Sequence, residues 1–343
     1  MLTLIFLTLA APQGCDLSGQ MPSWLAEAEV PSAAVAVIRN GRLSCSAVFG
    51  QARPSVPADK KTLYNVASLA KPVVAETVLR LVAKGKLDLD EPLSAYWVDP
   101  DVAEDPRHQA LTPRIMLSHR SGFPNWRQGK LEFRSDPGKA SGYSGEGFEY
   151  LARFLERKFR RSIDALVTEE VFRPLSMAHT HMVADPATRE KLAYARDAEG
   201  QTRPADARDT ASAADDLLTR ADDYGRFVAA VMRGDGLNAP LARERFHVTV
   251  PQMEGRCPWN VECPKSVGFA LGWAVFDYGD ERVMVQGGGD WGERALAIFV
   301  PERDLAVVVL TNGFGGGAVI RRVVETLYDN PRFHRFLAFQ SKG

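Results

Sequence analysis

The chain has 343 residues, of which 45% are hydrophobic, 25% charged and 9% aromatic; 42 Lys and Arg stand against 43 Asp and Glu, for a net charge of −1. Those fractions belong to a globular protein and exclude disordered, collagen-like and low-complexity chains. Without a basic excess the chain cannot neutralise a run of phosphates, which argues against nucleic acid as a partner and against cationic adhesion to membranes.

The chain opens on MLTLIFLTLAA, apolar but far shorter than the ~20 residues that cross a bilayer. It matches the apolar core of a secretory signal, so residues 1–15 are expected to form a leader. Cleavage after Ala10 fits a small-x-small rule through Thr8; alternatively the leader is of lipoprotein type, with Cys15 carrying a lipid as a membrane tether. Either route exports the protein, to the periplasm or to a membrane anchor. SAAVAVIRNGRLSCSAVFGQA then reads as two strands joined at Asn40–Gly41, the strongest short hairpin signal. Cys45 falls within the second strand and reads as a buried side chain. From about 62 to 250 the apolar period is helical, as in VVAETVLRLVAKG, EGFEYLARFLERKF and ADDYGRFVAAVMRG, with Gly85 and Gly234 placed as helix stops. Cys257 and Cys263 bracket CPWNVEC and can close a small loop in an oxidising compartment; their spacing is not that of a zinc pair. Strand patterns return after Val267 in FALGWAVFDYG, ERVMVQ, RALAIFVP and DLAVVVLTN. A last helix, AVIRRVVETLYD, precedes a tail carrying Phe333, Phe336 and Phe339.

Strands at both ends with helices between predict a single α+β domain over residues 22–340. The N-terminal hairpin and the C-terminal strands make one antiparallel sheet of five, flanked by helices, in a sheet lobe of about 22–61 and 255–340. Residues of about 62–254 form an all-helical lobe. No period of 20 to 50 residues repeats, which excludes solenoids and propellers.

Asn65-Val-Ala-Ser68-Leu-Ala-Lys71-Pro carries the first chemistry. Ser68 and Lys71 stand one helical turn apart and share a face. A serine hydroxyl is a poor nucleophile until a base takes its proton, and a lysine kept out of water can be that base. N–H groups at the first turn of a helix also favour an oxyanion.

The surrounding sequence resembles the serine β-lactamase and penicillin-binding-protein superfamily, in its class C, D-aminopeptidase and esterase-like branch. The resemblance covers most of residues 30–328. It rests on TLYNVASLAKPVVAETVLRLVAKGKLDLDEPLSAYW around Ser68, LTPRIMLSHRSGFPNW, TEEVFRPLSMAHT, and RALAIFVPERDLAVVVLTN. The resemblance implies a β-lactamase-like fold and a Tyr-x-Asn motif whose Tyr shares proton movement with the Lys. Here that motif is Tyr143-Ser144-Gly145, so the Tyr is kept and the Asn is replaced by Gly145. It also implies a Lys/His-x-Gly strand lining the site. The matching run is Gln286-Gly287-Gly288-Gly289-Asp290-Trp291, where Gln286 replaces the basic residue. By the same resemblance, the backbone N–H groups of Ser68 and Gly289 form the oxyanion hole, Gln286, Gly287, Gly288 and Gly145 touch substrate, and Trp291 walls the acyl pocket. Ala214-Asp215-Asp216 stands where the branch has Ala-Gly-Gly and reads as a solvated helix cap.

Other motifs fail on context. Gly287-x-Gly289-x-x-Gly292 is followed by a strand, which offers a pyrophosphate no helix N-terminus. Gly313-x-Gly315-x-x-Ala318 lacks the chain for the rest of a dinucleotide-binding unit. His179-x-His181 has no third ligand nearby, and His119 reads as a hydrogen-bonded structural histidine. The expected activity is therefore that of a serine hydrolase working through an acyl-enzyme, without metal or cofactor, on carboxylic esters or small amides. A D-peptidase, a D,D-carboxypeptidase or a weak β-lactamase is the nearest alternative within the class; a non-catalytic ligand- or peptidoglycan-binding protein on the same fold is the alternative outside it. Gln286 favours neutral substrates unless the guanidinium of Arg294, on the next strand, reaches the pocket.

Overall fold

The computed structural model describes residues 15–341; residues 1–14, the core of the expected leader, lie outside the described residues. The chain folds around one antiparallel sheet. Its strands are β1 (Ser32–Arg39), β2 (Arg42–Arg53), β3 (Val56–Pro57), β4 (Pro251–Glu254), β5 (Ser266–Phe269), β6 (Ala274–Asp277), β7 (Arg282–Gly289), β8 (Arg294–Val300) and β9 (Leu305–Thr311). They lie in the order β3-β2-β1-β9-β8-β7-β6-β5-β4. Asn40 and Gly41 turn the first hairpin with φ of 50° and 64°, the left-handed values of a tight two-residue loop.

The sheet has nine strands, not the expected five; the hairpin and the four C-terminal strand patterns already make six. Part of the difference is that FALGWAVFDYG is two strands: Gly272, at φ 90°, bends the chain so that Phe269 pairs with Ala274. The rest is β3 and β4, two and four residues at the two edges, too short to show an alternating pattern.

Helices cover both faces, which is why β1 and β9 read as unbroken apolar runs. On one face Ala34, Ala36, Met284, Ala297 and Phe299 join a core with the helices α2 (Ala70–Ala83), α3 (Gly145–Phe159) and α4 (Ala221–Arg233). On the other, Val35, Val285, Ile298 and Val307 pack with α1 (Met21–Glu27), α5 (Gly316–Leu327) and α6 (Pro331–Gln340). Gly234 closes α4 in the left-handed conformation, as its position in the sequence suggested.

Cys45 is not a free buried thiol: it is bonded to Cys15, and Cys15 is itself buried with Leu17 in the core under α1. With its sulfur in this bond, Cys15 packs with Leu17 ahead of residue 22. Cys257 and Cys263 are bonded to each other and close the loop between β4 and β5.

Candidate active site

The chain is pinned just before Ser68. Tyr64–Asn65 pairs with Leu218–Thr219, and Ser68 then sits in a 3₁₀ turn, Ala67–Leu69, that runs into α2. Ala67 has φ 46°, a left-handed value that costs a non-glycine residue of order 1–3 kcal/mol and survives only where neighbours enforce it. Asn65 does so. Its Oδ1 accepts the Ala67 N–H at 2.9 Å, while its Nδ2 donates to the Asp206 carbonyl at 3.0 Å and to Asp216 Oδ1 at 3.1 Å. Nothing near Asn65 in the sequence marks this role, because its partners Asp206 and Asp216 lie 141 and 151 residues further along.

The turn keeps Ser68 and Lys71 in register although Ser68 itself is not α-helical. Lys71 is completely buried, and its Nζ donates to Ser68 Oγ at 2.9 Å and to the Ala214 carbonyl at 2.6 Å. The Nζ also faces the rings of Tyr143, Trp126 and Phe148 at 4.8, 5.9 and 6.0 Å. Among the described residues no carboxylate forms an ion pair with it. Aromatic faces and one carbonyl hold the lysine while leaving its hydrogen bond to Ser68 as the route a proton can take.

Tyr143 stacks on the buried His119 ring at 4.5 Å, and its hydroxyl accepts from Gln286 Nε2 at 3.2 Å. His119 Nδ1 accepts the Ser144 N–H at 3.0 Å, and burial together with the charge of Lys71 pushes its pKa down to about 3. It is a neutral structural histidine, as expected. Gly145 begins α3 behind the Ser144 cap, and its N–H donates to Asn125 Oδ1 at 2.9 Å. A Cβ at 145 would lie 2.9 Å from the Trp126 ring. The indole fills the space in which the Asn of the resembled motif would stand, so Gly145 does not reach substrate through a side chain. Asn125 instead lines the cleft. Asn125 and Trp126 end the segment LTPRIMLSHRSGFPNW, about twenty residues before the Gly145 they contact.

The glycines of β7 divide the work. A Cβ on Gly288 would overlap the Val66 carbonyl at 2.1 Å, so only glycine lets this strand rest on the turn that carries Ser68. Gly287 faces open space and Gly289 lies beside Arg294. Because β6 pairs with β7 no further than Val285, residues 286–289 form a free strand edge on that side. Ser68, Tyr143, Gln286, Gly287, Gly288, Gly289 and Arg294 line one cavity of about 850 Å³.

Two expected residues lie elsewhere. Trp291 is not a wall of this cavity: it packs beside Leu63, Leu192 and Ala195 under the Arg203 guanidinium, 3.8 Å above its ring. Asp215 and Asp216 are not a solvated helix cap. Asp216 is buried and paired with Arg208, while burial and the adjacent Asp216 raise the Asp215 pKa to about 6, against the pull of Lys71. This segment serves the site through its backbone, the Ala214 carbonyl that Lys71 binds. Among the described residues no group of three His, Cys, Asp or Glu is arranged to hold a metal ion.

A sheet covered on both faces, with a Ser-x-x-Lys turn against a glycine strand edge, is the architecture of the serine β-lactamase and penicillin-binding-protein superfamily, whose members are generally serine hydrolases. The chain belongs to the Beta-lactamase family, whose model matches residues 22–327. It is similar to Protein flp of Staphylococcus aureus strain MRSA252, 21% identical over 315 residues, and spans only 60% of that protein's length while 84% of this chain is covered. It is also 33% identical over 121 residues to Esterase EstB of Burkholderia gladioli, covering 34% of this chain and 31% of that protein. Among solved structures, the octameric penicillin-binding protein homologue from Pyrococcus abyssi superposes with a TM-score of 0.75 at 19% identity, covering 92% of this chain and 77% of that one. That likeness carries the fold.

Proposed function

We propose that this protein hydrolyses carboxylic esters through an acyl-enzyme on Ser68. The observation that carries the reading is the contact of the buried Lys71 with Ser68 Oγ. Ser68 Oγ attacks the ester carbonyl as its proton passes towards Lys71, with Tyr143 alongside. The N–H groups of Ser68 and Gly289 receive the negative oxygen, the alcohol leaves with the proton, and water then releases the acid and restores the serine. The preference for neutral esters is supported by Gln286, whose amide is committed to the Tyr143 hydroxyl and, at 2.7 Å, to the Gly287 carbonyl, and by the partial similarity to an esterase.

One observation favours a second reading, a D-peptidase or D,D-carboxypeptidase. Arg294 lines the cleft, donates to the Asp290 and Glu293 carbonyls, stacks at 4.4 Å over Phe314, and forms no ion pair among the described residues. Such a cation can receive a substrate carboxylate. Charge-assisted bonds contribute about 1.5–3 kcal/mol against about 1 for neutral ones, a factor of roughly 3 to 30 in kcat/KM. Under the ester reading, short neutral esters exceed penicillins and D-Ala-D-Ala peptides, Arg294→Ala leaves the esters untouched, and Gln286→Lys improves the anionic substrates selectively. A wild type that prefers carboxylate-bearing substrates, and loses that preference in Arg294→Ala, establishes the peptidase reading instead.

We also propose that the protein works outside the cytoplasm. The two disulfides support this, since such bonds persist in oxidising compartments. Intact mass is expected to give a mature chain beginning between Ala11 and Cys15, and a native chain that begins at Met1 refutes export.

A further inference from the structure

The cavity that holds Ser68 does not end at the catalytic face of the sheet. It passes the free edge of β7 at Gly287–Gly289 and continues on the opposite face, between the sheet and the helices α5 and α6. There its walls change character. Met253, Trp259, Phe314, Phe336, Leu337 and Phe339 line it. Trp259 is held over Phe336 and Phe339, at ring separations of 5.5 and 5.9 Å, by the loop that the Cys257–Cys263 bond closes. Phe314 and Phe339 are 43% and 42% exposed, although a folded chain gains by covering such rings. Two bare backbone positions keep the passage open. A Cβ on Gly287 would meet nothing within 4 Å, and one on Gly317, in the first turn of α5, would meet only the Ser341 Cα at 3.9 Å.

We infer that this groove holds an unbranched apolar chain attached to the scissile ester, so that the substrates are lipid-like esters rather than small acetates. The inference rests on the ester reading for its chemistry and on the groove for its specificity. Three features select this occupant. The groove is continuous with Ser68, so what fills it is attached to the reacting carbonyl. Beyond Arg294 its lining is mostly apolar, with only Gln252, Gln340 and Ser341 as polar side chains, so a peptide backbone would find few partners for its N–H and C=O groups there. Its volume, about 850 Å³ with the catalytic end included, is that of a site for a whole ligand and not for an acetyl group alone. The chain can be the acyl part or the alcohol part; both present the same apolar methylenes.

Two ester series distinguish these sources: p-nitrophenyl esters from acetate to octanoate, and acetates of alcohols from ethanol to octanol, all below micelle-forming concentration. In the series whose chain enters the groove, kcat/KM is expected to rise about 2- to 4-fold per methylene, on the order of 10²- to 10³-fold across the series. Gly317→Leu, remote from the acyl-transfer groups, is expected to keep acetate turnover within about 2-fold and to flatten that rise. Ser68→Ala protein is expected to bind decanol, read by Trp259 fluorescence against Trp259→Phe, with the affinity lost in Gly317→Leu. Flat profiles in both series with Ser68-dependent acetate turnover overturn the groove while leaving the esterase. Decanol binding lost in Gly317→Leu, in a protein whose ester turnover survives Ser68→Ala, keeps the groove and overturns the hydrolase reading. Chain-length preference unaltered in Gly317→Leu overturns the assignment to this groove.

Discussion

Ser68→Ala is expected to abolish ester turnover, by at least about 10⁴-fold, and to end covalent labelling by fluorophosphonate and penicillin probes, with no loss of fold. The hydroxyl is half-buried in a 3₁₀ turn whose geometry is set by Asn65, not by the serine, and alanine is a good helix former. Lys71 loses one of two hydrogen bonds and keeps the Ala214 carbonyl. Lys71→Met is expected to lose nearly as much activity, because it retains the stem among Tyr143, Trp126 and Phe148 and removes only the proton acceptor. Groups that act as a unit are not additive, so the double variant should be no slower than either single one. Thermal unfolding separates chemistry from folding, since Lys71→Met leaves a buried carbonyl without its partner, at a cost of about 1–3 kcal/mol. Undiminished hydrolysis in a clean Ser68→Ala preparation removes the nucleophile. Near-normal rates in a folded Lys71→Met protein move the base to Tyr143. A wild-type protein that neither probe labels returns the chain to a binding role on the same fold.

The local signals of this sequence were legible where chemistry and structure depend on near neighbours. Ser68 and Lys71 are three residues apart, the Asn40–Gly41 turn is self-contained, and Gly234 ends its helix by its own backbone preference. The order of strands and helices gave the fold class. What stayed hidden depends on contacts between distant segments. The Asn65–Asp216 bond joins positions 151 apart, the indole of Trp126 takes the space beside Gly145 across a loop, and Cys15 finds Cys45 from the far side of α1. Trp291 misled because it directly follows the glycine strand: two residues after Gly289 the chain has turned away from the cleft and towards Ala195. Asp215 and Asp216 read as a surface feature because paired carboxylates usually are one. The burial of Asp216 follows from partners the sequence does not put beside it, Asn65 and Arg208.

Gly288→Ala tests whether the strand edge and the nucleophile turn are held together as tightly as the geometry requires. The added methyl carbon would stand 2.1 Å from the Val66 carbonyl, a backbone atom that cannot swing aside as a side chain can. Either β7 retreats from the turn or the turn moves, and both displace the Gly289 N–H from the Ser68 N–H. A misplacement of about 1 Å at reacting groups costs on the order of 10²-fold in rate. The variant is therefore expected to lose about that factor in kcat, with a smaller change in KM, and to lower stability by about 1–3 kcal/mol as an overpacked contact does. Gly287→Ala supplies the control for backbone propensity, because the same methyl one residue earlier meets nothing and points to the other face of the strand. Its melting temperature is expected to match wild type. A Gly288→Ala protein with full kcat shows that the two N–H groups are not a preorganised pair, and the oxyanion assignment to Gly289 falls with it. Loss of kcat together with a lowered melting temperature in Gly288→Ala, with Gly287→Ala melting as wild type, ties catalysis to the contact of this strand with the Val66 carbonyl.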